Sequence, residues 1–344
     1  MDLMVRSRAP LRLGLAGGGT DISPYCDKYG GVVLNATIER YAYCFIWKNQ
    51  DKKVIFKSAD LNIEEIHASQ EKFCISGNLI LHRAVYNKFV EHYNDGIPLN
   101  ISVITSCDAP IGSGLGSSST IVVSMIKAYS ELLNIPLDDY EVAFMAHQIE
   151  RVDCNLAGGK QDQYSASFGG FNFMEFGKKD SALVNPLRIK NWIINEFEAS
   201  SLLFYGGKSR NSSKIIEDQK QNLIHNDEQA ILAMHNIKSE ALLMKEALLK
   251  GEFRKIVDSM REGWEAKKRS SSSVSNEAIE EIFKTAYSAG AQCGKVSGAG
   301  GGGYILFISK PENRAKVLNA LKKYNGELNP CHFTNLGAQS WRAS

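Results

Sequence analysis

The sequence is poor in the features that mark exported, membrane-spanning or zinc-binding proteins. Its seven cysteines are odd in number and never stand in C-x-x-C spacing, so neither a disulfide framework nor a zinc site is indicated. No segment approaches the roughly 18 consecutive apolar residues of a membrane span, and the N-terminus lacks a basic segment followed by an apolar one. We therefore expect a soluble protein of the reducing cytoplasm, with no membrane partner.

The chain also has almost no net charge. Lys and Arg number 40 and Asp and Glu number 38, which leaves a formal charge of +2. A protein that binds a nucleic-acid backbone generally needs a strongly basic face. The composition therefore favours a small-molecule partner over a nucleic acid. At 344 residues the chain is long enough for two domains, since domains usually hold about 100–200 residues.

The spacing of apolar residues predicts an α+β protein, in which strands and helices are both numerous. Strands are predicted over residues 36–47, 53–57, 99–106, 202–205, 304–308 and 331–336, and helices over residues 118–133, 138–152, 276–289 and 312–324. The stretch 177–195 has few apolar residues and separates the two halves. We therefore predict an N-terminal domain of residues 1–185 and a C-terminal domain of residues 186–344.

Glycine is close to its usual frequency, yet its distribution is uneven. Twelve of the 29 glycines lie in three clusters, which are Gly14 with Gly17 to Gly19, Gly112 with Gly114 and Gly116, and Gly298 with Gly300 to Gly303. None has the G-x-x-x-x-G-K-[ST] spacing of a Walker A loop, and the chain contains no G-x-S-x-G elbow of a serine hydrolase. The clusters therefore indicate another kind of site.

The central cluster lies in the segment P-I-G-S-G-L-G-S-S-S-T, residues 110–120, which joins a predicted strand to a predicted helix. Glycines let backbone amides approach an anion, and a helix N-terminus supplies unpaired N–H groups with a partial positive charge. The pattern predicts a phosphate-binding loop for a nucleotide, although a serine-capped helix after a glycine turn remains an alternative. The candidate nucleotide-binding residues are Pro110, Gly112, Ser113, Gly114, Leu115, Gly116, Ser117, Ser118 and Ser119.

The two outer clusters are less specific. The third contains G-x-G-x-x-G at residues 298–303 but precedes a predicted strand, whereas a dinucleotide fingerprint follows a strand and opens a helix. Ordering so many glycines is entropically costly, so we expect either close approach to something or a simple hairpin loop. The first cluster follows A-P-L-R-L and ends in Thr20 and Asp21. Arg12 is a permanent cation before the glycine turn, and Asp21 is a carboxylate at its far end that is suited to hydrogen-bonding hydroxyls, although a surface turn is the alternative.

Taken together and in this order, the three clusters resemble the three motifs of the GHMP kinase superfamily, which includes galactokinase, homoserine kinase and mevalonate kinase. The segment A-P-L-R-L-G-L-A-G-G-G-T-D, residues 9–21, is most similar to D-glycero-D-manno-heptose 7-phosphate kinases and to bacterial fucokinases. Galactokinases carry G-E-H-T-D at that point. The resemblance implies an N-terminal domain like domain 2 of ribosomal protein S5 and a ferredoxin-like C-terminal domain, with the active site between them.

The resemblance also implies an activity. It is the ATP-dependent phosphorylation of the anomeric C1 hydroxyl of D-glycero-alpha-D-manno-heptose 7-phosphate to the 1,7-bisphosphate, which supplies GDP-heptose for surface polysaccharide. The alternatives are an anomeric kinase for an unphosphorylated sugar such as L-fucose and a non-catalytic sugar sensor. We expect a monomer or a homodimer.

The same resemblance assigns the chemistry to particular residues. Asp162, in the segment G-G-K-Q-D-Q, matches the catalytic base of galactokinase and mevalonate kinase, and Arg12 matches an active-site arginine that stabilises charge on the phosphoryl group. Glu150 and Ser118 match magnesium ligands, with Ser117 or Ser119 as alternatives to Ser118.

The substrate contacts are implied by the outer motifs and by nearby cations. The candidate substrate-binding residues are Gly18, Gly19, Thr20, Asp21, Gly300 and Gly301. A phosphate already on the sugar needs a cation, and Lys208 with Arg210 is favoured over the basic run 267–269, with Lys160 as a third candidate. Any of these segments is also compatible with a solvated basic face.

Overall fold

The computed structural model describes residues 4–207 and 212–343. The strands within those ranges are β1 Met4–Ala16, β2 Gly31–Lys48, β3 Lys53–Ser58, β4 Ile63–Ala68, β5 Ile101–Cys107, β6 Phe171–Phe176, β7 Ala182–Pro186, β8 Ser201–Tyr205, β9 Ala291–Val296, β10 Tyr304–Ser309, β11 Glu327–Asn329 and β12 Gln339–Ala343. The α-helices are α1 Tyr25–Tyr29, α2 Ile80–Tyr93, α3 Ser117–Leu133, α4 Asp139–Gln148, α5 Gln161–Phe168, α6 Asn191–Ser200, α7 Ser212–Ile224, α8 Glu228–Lys250, α9 Phe253–Ser270, α10 Glu277–Ser288 and α11 Arg314–Leu321. A π-helical turn, Ile149–Asp153, follows α4 and a 3₁₀ turn, Pro311–Asn313, precedes α11.

The strands form two sheets. The larger has the order β12-β1-β2-β5-β3-β4, with β6 pairing with β2 and with β7. Its pairs are antiparallel except for β3 with β5. The long strand β2 pairs with β6 through its first residues and with β5 through its last. The smaller sheet has the antiparallel order β11-β8-β10-β9.

Helices cover these sheets and enclose the apolar core. Helix α3 is buried along most of its length and packs against β1 and β2, which explains why its sequence is apolar on more than one face. Helix α4 begins at a capping box, in which Asp138 accepts from the Glu141 amide and Glu141 accepts from the Asp138 amide. One apolar cluster includes Leu13 of the larger sheet, Met244 of α8 and Leu306 of the smaller sheet. The two sheets therefore share part of one core.

The structure confirms the predicted α+β class. The strands and helices predicted for both halves are present, with shifts of a few residues at their ends, except for the last strand. Residues 331–336 make one isolated bridge, between Phe333 and Ile38. The Thr334 amide beside it donates to the Thr37 carbonyl, and the Thr334 carbonyl accepts from the Gly170 amide.

The division at residue 185 remains a prediction, and strand β7, Ala182–Pro186, spans it. β12 lies beyond that point in the chain but pairs with β1 in the larger sheet. In the part of the chain that the structure describes, no helix is long and apolar enough to cross a bilayer.

Candidate functional site

The three glycine clusters meet at one cleft with a volume of about 330 Å³. On one side it is lined by the loop after β1, the loop between β5 and α3, the π-helical turn and the start of α5. On the other side it is lined by α7, α9 and the loop between β9 and β10. The cleft therefore lies between the parts of the chain that carry the larger and the smaller sheet.

The central glycine loop, residues 110–119, has a backbone that glycine adopts without strain. Gly112, Gly114 and Gly116 have φ angles of 80°, 84° and 79°, in the left-handed region. Gly116 is also the N-cap residue of α3, and no side chain caps the helix there. Unpaired N–H groups of the first helical turn thus face the cleft as donors to an anion.

Six of the nine predicted nucleotide-binding residues line the cleft. They are Gly112, Gly114, Gly116, Ser117, Ser118 and Ser119. The other three lie behind the loop, which corrects the prediction for their side chains. Leu115 is fully buried in the core, the Ser113 carbonyl accepts from the Tyr304 amide at 2.8 Å, and the Pro110 carbonyl accepts from the Ser117 hydroxyl at 3.2 Å. These three residues therefore support the loop from behind.

The third glycine loop, residues 297–303, packs directly on the central one. A Cβ atom at Gly114 would lie 2.3 Å from the Ser297 carbonyl oxygen, and one at Gly303 would lie 2.3 Å from the Ser113 carbonyl oxygen. The close approach expected from the glycine content is therefore backbone against backbone. Gly300 lines the cleft. Gly301 lies outside the cleft lining, and its amide donates to the Val274 carbonyl at 2.8 Å.

Arg12 and Asp162 form an ion pair at the centre of the cleft. The Arg12 Nε and Nη2 atoms lie 2.8 and 2.6 Å from Asp162 Oδ1. Arg12 Nη1 also donates to the Gly114 carbonyl at 2.7 Å and to Ser297 Oγ at 3.3 Å. The guanidinium thus contacts α5, the central glycine loop and the third glycine loop. Arg12 is only 4% exposed. Asp162 remains partly exposed, because Gly116 has no side chain where a Cβ would lie 3.2 Å from the Asp162 Cγ.

Asp21 is almost wholly buried at the end of the first glycine loop, residues 14–21, and its carboxylate accepts from protein groups. Oδ2 accepts from the amides of Lys160 and Gln161 at 2.8 and 3.0 Å. Oδ1 accepts from the Gly19 amide and from Gln161 Nε2, each at 3.2 Å. These four hydrogen bonds occupy the carboxylate, which was predicted to bind sugar hydroxyls.

The remaining residues of the first loop have different surroundings. Gly19 lines the cleft, and Gly18 lines a small cavity behind it. Thr20 is fully buried, and its hydroxyl oxygen lies 2.8 and 2.7 Å from the Gly17 and Val32 carbonyl oxygens. It donates its one proton to either carbonyl and accepts from the Val32 amide. The prediction that Thr20 contacts a ligand is therefore corrected, because its side chain closes the turn.

The side chains of Ser118 and Glu150 are hydrogen-bonded to each other in the lining of the cleft. Ser118 Oγ donates to Glu150 Oε1 at 2.9 Å, and Gln163 Nε2 donates to Glu150 Oε2. Glu150 belongs to the π-helical turn, a distortion that often occurs at functional sites. Ser117 and Ser119 instead bond to the Pro110 carbonyl and to Gln163. Residues 4–207 and 212–343 contain no cluster of three or more His, Cys, Asp or Glu side chains that could hold a metal ion.

Of the three predicted phosphate-binding cations, Lys160 alone lies within the described residues. Lys160 is buried away from the cleft lining, and its ammonium lies 2.9 Å from Asp180, which lowers the pKa of that carboxyl. This ion pair corrects the prediction that Lys160 contacts substrate. Lys208 and Arg210 lie outside the described residues.

Lys267, from the last turn of α9, lines the cleft together with Arg12 and Arg151. Its ammonium donates to the Gly298 carbonyl at 2.5 Å. Burial, together with the nearby Arg12, lowers its pKa to about 8, although Asp21 and Asp162 oppose this shift. The basic run 267–269 was the less favoured candidate, and a solvated basic face was the alternative for it as for the other cations. The helical spacing of Trp264 and Lys267 on one face was the available signal.

Two family models match the chain, "GHMP kinases N terminal domain" over residues 78–170 and "GHMP kinases C terminal" over residues 244–327. The chain is 46% identical to a D-glycero-alpha-D-manno-heptose 7-phosphate kinase of Campylobacter jejuni, across 98% of this chain and 99% of that protein. A crystal structure of a D-glycero-D-manno-heptose 1-phosphate kinase from Bacteroides thetaiotaomicron has a TM-score of 0.84 at 42% identity and 99% coverage of both chains. An L-fucokinase/L-fucose-1-P guanylyltransferase of Bacteroides fragilis is 26% identical, across 91% of this chain and 35% of that protein.

Proposed function

This chain belongs to the GHMP kinases, a family of ATP-dependent phosphotransferases, and from that premise we propose its reaction. It transfers the γ-phosphoryl group of ATP to the anomeric C1 hydroxyl of D-glycero-alpha-D-manno-heptose 7-phosphate. The products are the 1,7-bisphosphate and ADP. We further propose that the enzyme works in the cytoplasm, as a monomer or homodimer, in the supply of GDP-heptose for surface polysaccharide.

One arrangement supports this function more than any other. The Arg12–Asp162 ion pair lies directly against the central glycine loop, whose helix start carries no side-chain cap. A carboxylate that accepts a proton, a cation that neutralises a phosphoryl group and a loop that binds phosphates are thus within one cleft. Phosphoryl transfer requires mainly these elements, since positioning and charge stabilisation supply most of the catalysis.

In the proposed reaction Asp162 accepts the proton of the C1 hydroxyl as its oxygen attacks the γ-phosphorus. The bond between the γ-phosphorus and the bridging β,γ-oxygen breaks, and ADP leaves with that electron pair. Arg12 has two roles: its hydrogen bonds hold the Asp162 carboxylate in place, and its charge stabilises the equatorial oxygens of the phosphoryl group. The amides of the central loop bind the nucleotide phosphates.

The pair of Ser118 and Glu150 fits a magnesium site. Magnesium prefers oxygen ligands and keeps several from nucleotide phosphates and water, so one carboxylate and one hydroxyl are sufficient protein donors. A magnesium ion held there would neutralise charge on the β- and γ-phosphates. Ser118 is our preferred ligand because, of the three serines, it is the one bonded to Glu150.

The proposal of a specific sugar substrate is based on the names of related proteins. The similar Campylobacter jejuni protein is named for heptose 7-phosphate, and the Bacteroides thetaiotaomicron structure for heptose 1-phosphate, so the phosphorylated position needs a direct test. The more distant fucokinase keeps L-fucose as the second candidate. Lys208 and Arg210 remain our proposed partners of a phosphate at C7.

The test is a coupled ADP-release assay with four acceptors: heptose 7-phosphate, heptose 1-phosphate, free heptose and L-fucose. We expect turnover of the 7-phosphate, with a product that shows a second, anomeric phosphate by phosphorus NMR. Turnover of L-fucose alone would replace our substrate with the second candidate. ADP release from none of the four would contradict the proposed function.

A further inference from the structure

Lys267 is a buried cation of the cleft whose ammonium is only partly satisfied by the described residues. It is 5% exposed and lines both the cleft and the small cavity behind it. In the described part of the chain its ammonium donates one hydrogen bond, to the Gly298 carbonyl, and forms no ion pair with a carboxylate. An ammonium group has three N–H donors, so two remain for a ligand.

The charges around Lys267 favour an anionic ligand. Arg12 of β1 adds a permanent positive charge, against the carboxylates of Asp162 and Asp21. Lys295 of β9 adds another only when it is protonated, because burial and the charges of Lys267 and Arg12 lower its pKa. Asp162 is paired with Arg12, and Asp21 is occupied by four hydrogen bonds from amides. Lys295 is itself buried and donates to the Leu15 carbonyl at 3.2 Å. A buried charge without a partner is costly, so this end of the cleft is built for an added negative charge.

The position of the Lys267 ammonium relative to the glycine loops indicates which class of anion it binds. The carbonyl that anchors Lys267 belongs to Gly298, where a Cβ would lie 2.8 Å from the Gly114 Cα in the central glycine loop. A Cβ at Gly18, in the first glycine loop, would lie 3.7 Å from the Lys267 Nζ. The ammonium therefore lies where all three glycine loops converge.

We propose that Lys267 is a phosphate-binding residue of this cleft, and that its ammonium contacts a phosphate oxygen when both substrates are bound. The proposal rests on the proposed kinase function. Two phosphate groups have this chemistry: the phosphoryl group in transfer from ATP, and a phosphate already present on the sugar. They differ in their kinetic consequences, so one set of variants distinguishes them.

The pKa of Lys267 provides a signature that a merely structural lysine would lack. The pKa is lowered to about 8 in the free enzyme, because burial and the Arg12 charge outweigh Asp21 and Asp162. The charged form therefore declines as the pH rises through about 8. Since kcat/KM reports ionisations of the free enzyme, it falls over the same range.

The variants are Lys267→Met, which keeps the apolar stem and removes the charge, and Lys267→Arg, which keeps the charge without titrating near pH 8. Lys268→Met is the matched control, because the neighbouring Lys268 pairs with Glu265 and Glu280 on the outside of α9. Circular dichroism and thermal unfolding establish that each variant is folded.

We expect Lys267→Met to lose about 10- to 100-fold in kcat/KM, and Lys268→Met to stay within about twofold of the wild type. An equal loss of kcat on phosphorylated and free sugar assigns the contact to the transferring phosphoryl group. A raised KM confined to the phosphorylated sugar assigns it to the phosphate of the sugar. If Lys267→Met matches Lys268→Met on both sugars, the proposal is wrong.

Lys267→Arg tests the proposal even if the methionine variant does not fold. We expect it to retain measurable activity and to lose the decline of kcat/KM near pH 8; a decline that persists unchanged overturns the proposal. Failure of the kinase assignment is recognised separately, because the wild type would then turn over no sugar. In that case calorimetric titrations with MgATP and with inorganic phosphate decide: weaker binding of either to Lys267→Met supports the proposal, and unchanged binding of both refutes it.

Discussion

The carboxylate of Asp21 accepts hydrogen bonds from both the backbone and the side-chain amide of Gln161, at 3.0 and 3.2 Å. This contact ties the first glycine loop to the N-terminus of α5, one residue before the proposed base Asp162. Gly159 permits it, since a Cβ there would lie 2.0 Å from Asp21 Oδ2. We infer that Asp21 positions the base by holding the helix start.

Asp21→Asn should therefore lower kcat rather than raise the KM for the sugar. The amide group has one acceptor oxygen in place of two, so at least one of the hydrogen bonds from Gly19, Lys160 and Gln161 is lost. We expect a loss of about tenfold or more in kcat, since small displacements of a catalytic group are costly. Steady-state kinetics measures this, with Asp27→Asn on α1 as the control. A raised KM with unchanged kcat would instead support contact with sugar hydroxyls.

Asp162→Asn should bind nucleotide but lose most of its turnover. Asparagine keeps the size of the side chain, but its neutral amide cannot act as the base, and general-base catalysis typically contributes about 10²- to 10⁴-fold. Calorimetry with MgATP and a single-turnover assay separate binding from chemistry. Undiminished turnover in this variant would remove Asp162 as the base.

Ser118→Ala should increase the magnesium concentration that half-saturates the enzyme more than Ser117→Ala or Ser119→Ala. Of the three serines, Ser118 bonds to Glu150, whereas Ser117 and Ser119 bond to Pro110 and Gln163. We expect a shift of about tenfold, because a missing ligand of a metal site typically costs that much or more. Magnesium titrations at saturating ATP provide the measurement. Equal shifts in the three variants would contradict the assignment of Ser118.

Gly114→Ala should destabilise the protein more than Gly96→Ala. Both glycines have a positive φ, 84° and 74°, so both variants share the backbone strain of about 1 kcal/mol. A Cβ at Gly96 meets nothing within 4 Å, but at Gly114 it lies 2.3 Å from the Ser297 carbonyl oxygen. We expect a further loss of about 2 kcal/mol in the free energy of unfolding from this clash, measured by denaturant titration. Equal losses would show that the two loops separate without cost.

The parts of the structure that depend on neighbouring residues in the chain were predictable from the sequence. Helix α3 and the strand before it follow from apolar periodicity, and α4 begins within one residue of the predicted start at residue 138. The glycines of the central loop were recognisable because a left-handed φ is a demand of the local backbone, which excludes most other residues. Even the excess of glycine in the third loop correctly indicated close backbone contact, although its partner was unknown.

Roles that depend on distant partners were not predictable in the same way. Lys160 and Lys267 are both lysines beside recognisable motifs, yet one pairs with Asp180 and the other lines the cleft. Their side chains are long and flexible, so the element packed against each one decides where its charge lies. The carboxylate of Asp21 is similar, since donors 139 and 140 residues along the chain occupy it.

The amino-acid sequence was thus sufficient for the glycine-loop pattern and the α+β class, because backbone geometry and apolar periodicity are local properties. The family followed from the resemblance of the three glycine motifs to those of known kinases. Tertiary structure decided which charged groups are satisfied within the protein and which are left for a ligand. Burial and long-range hydrogen bonding set that division. It makes Asp21 a positioning residue in our interpretation, removes Lys160 from the cleft and leaves Lys267 facing it.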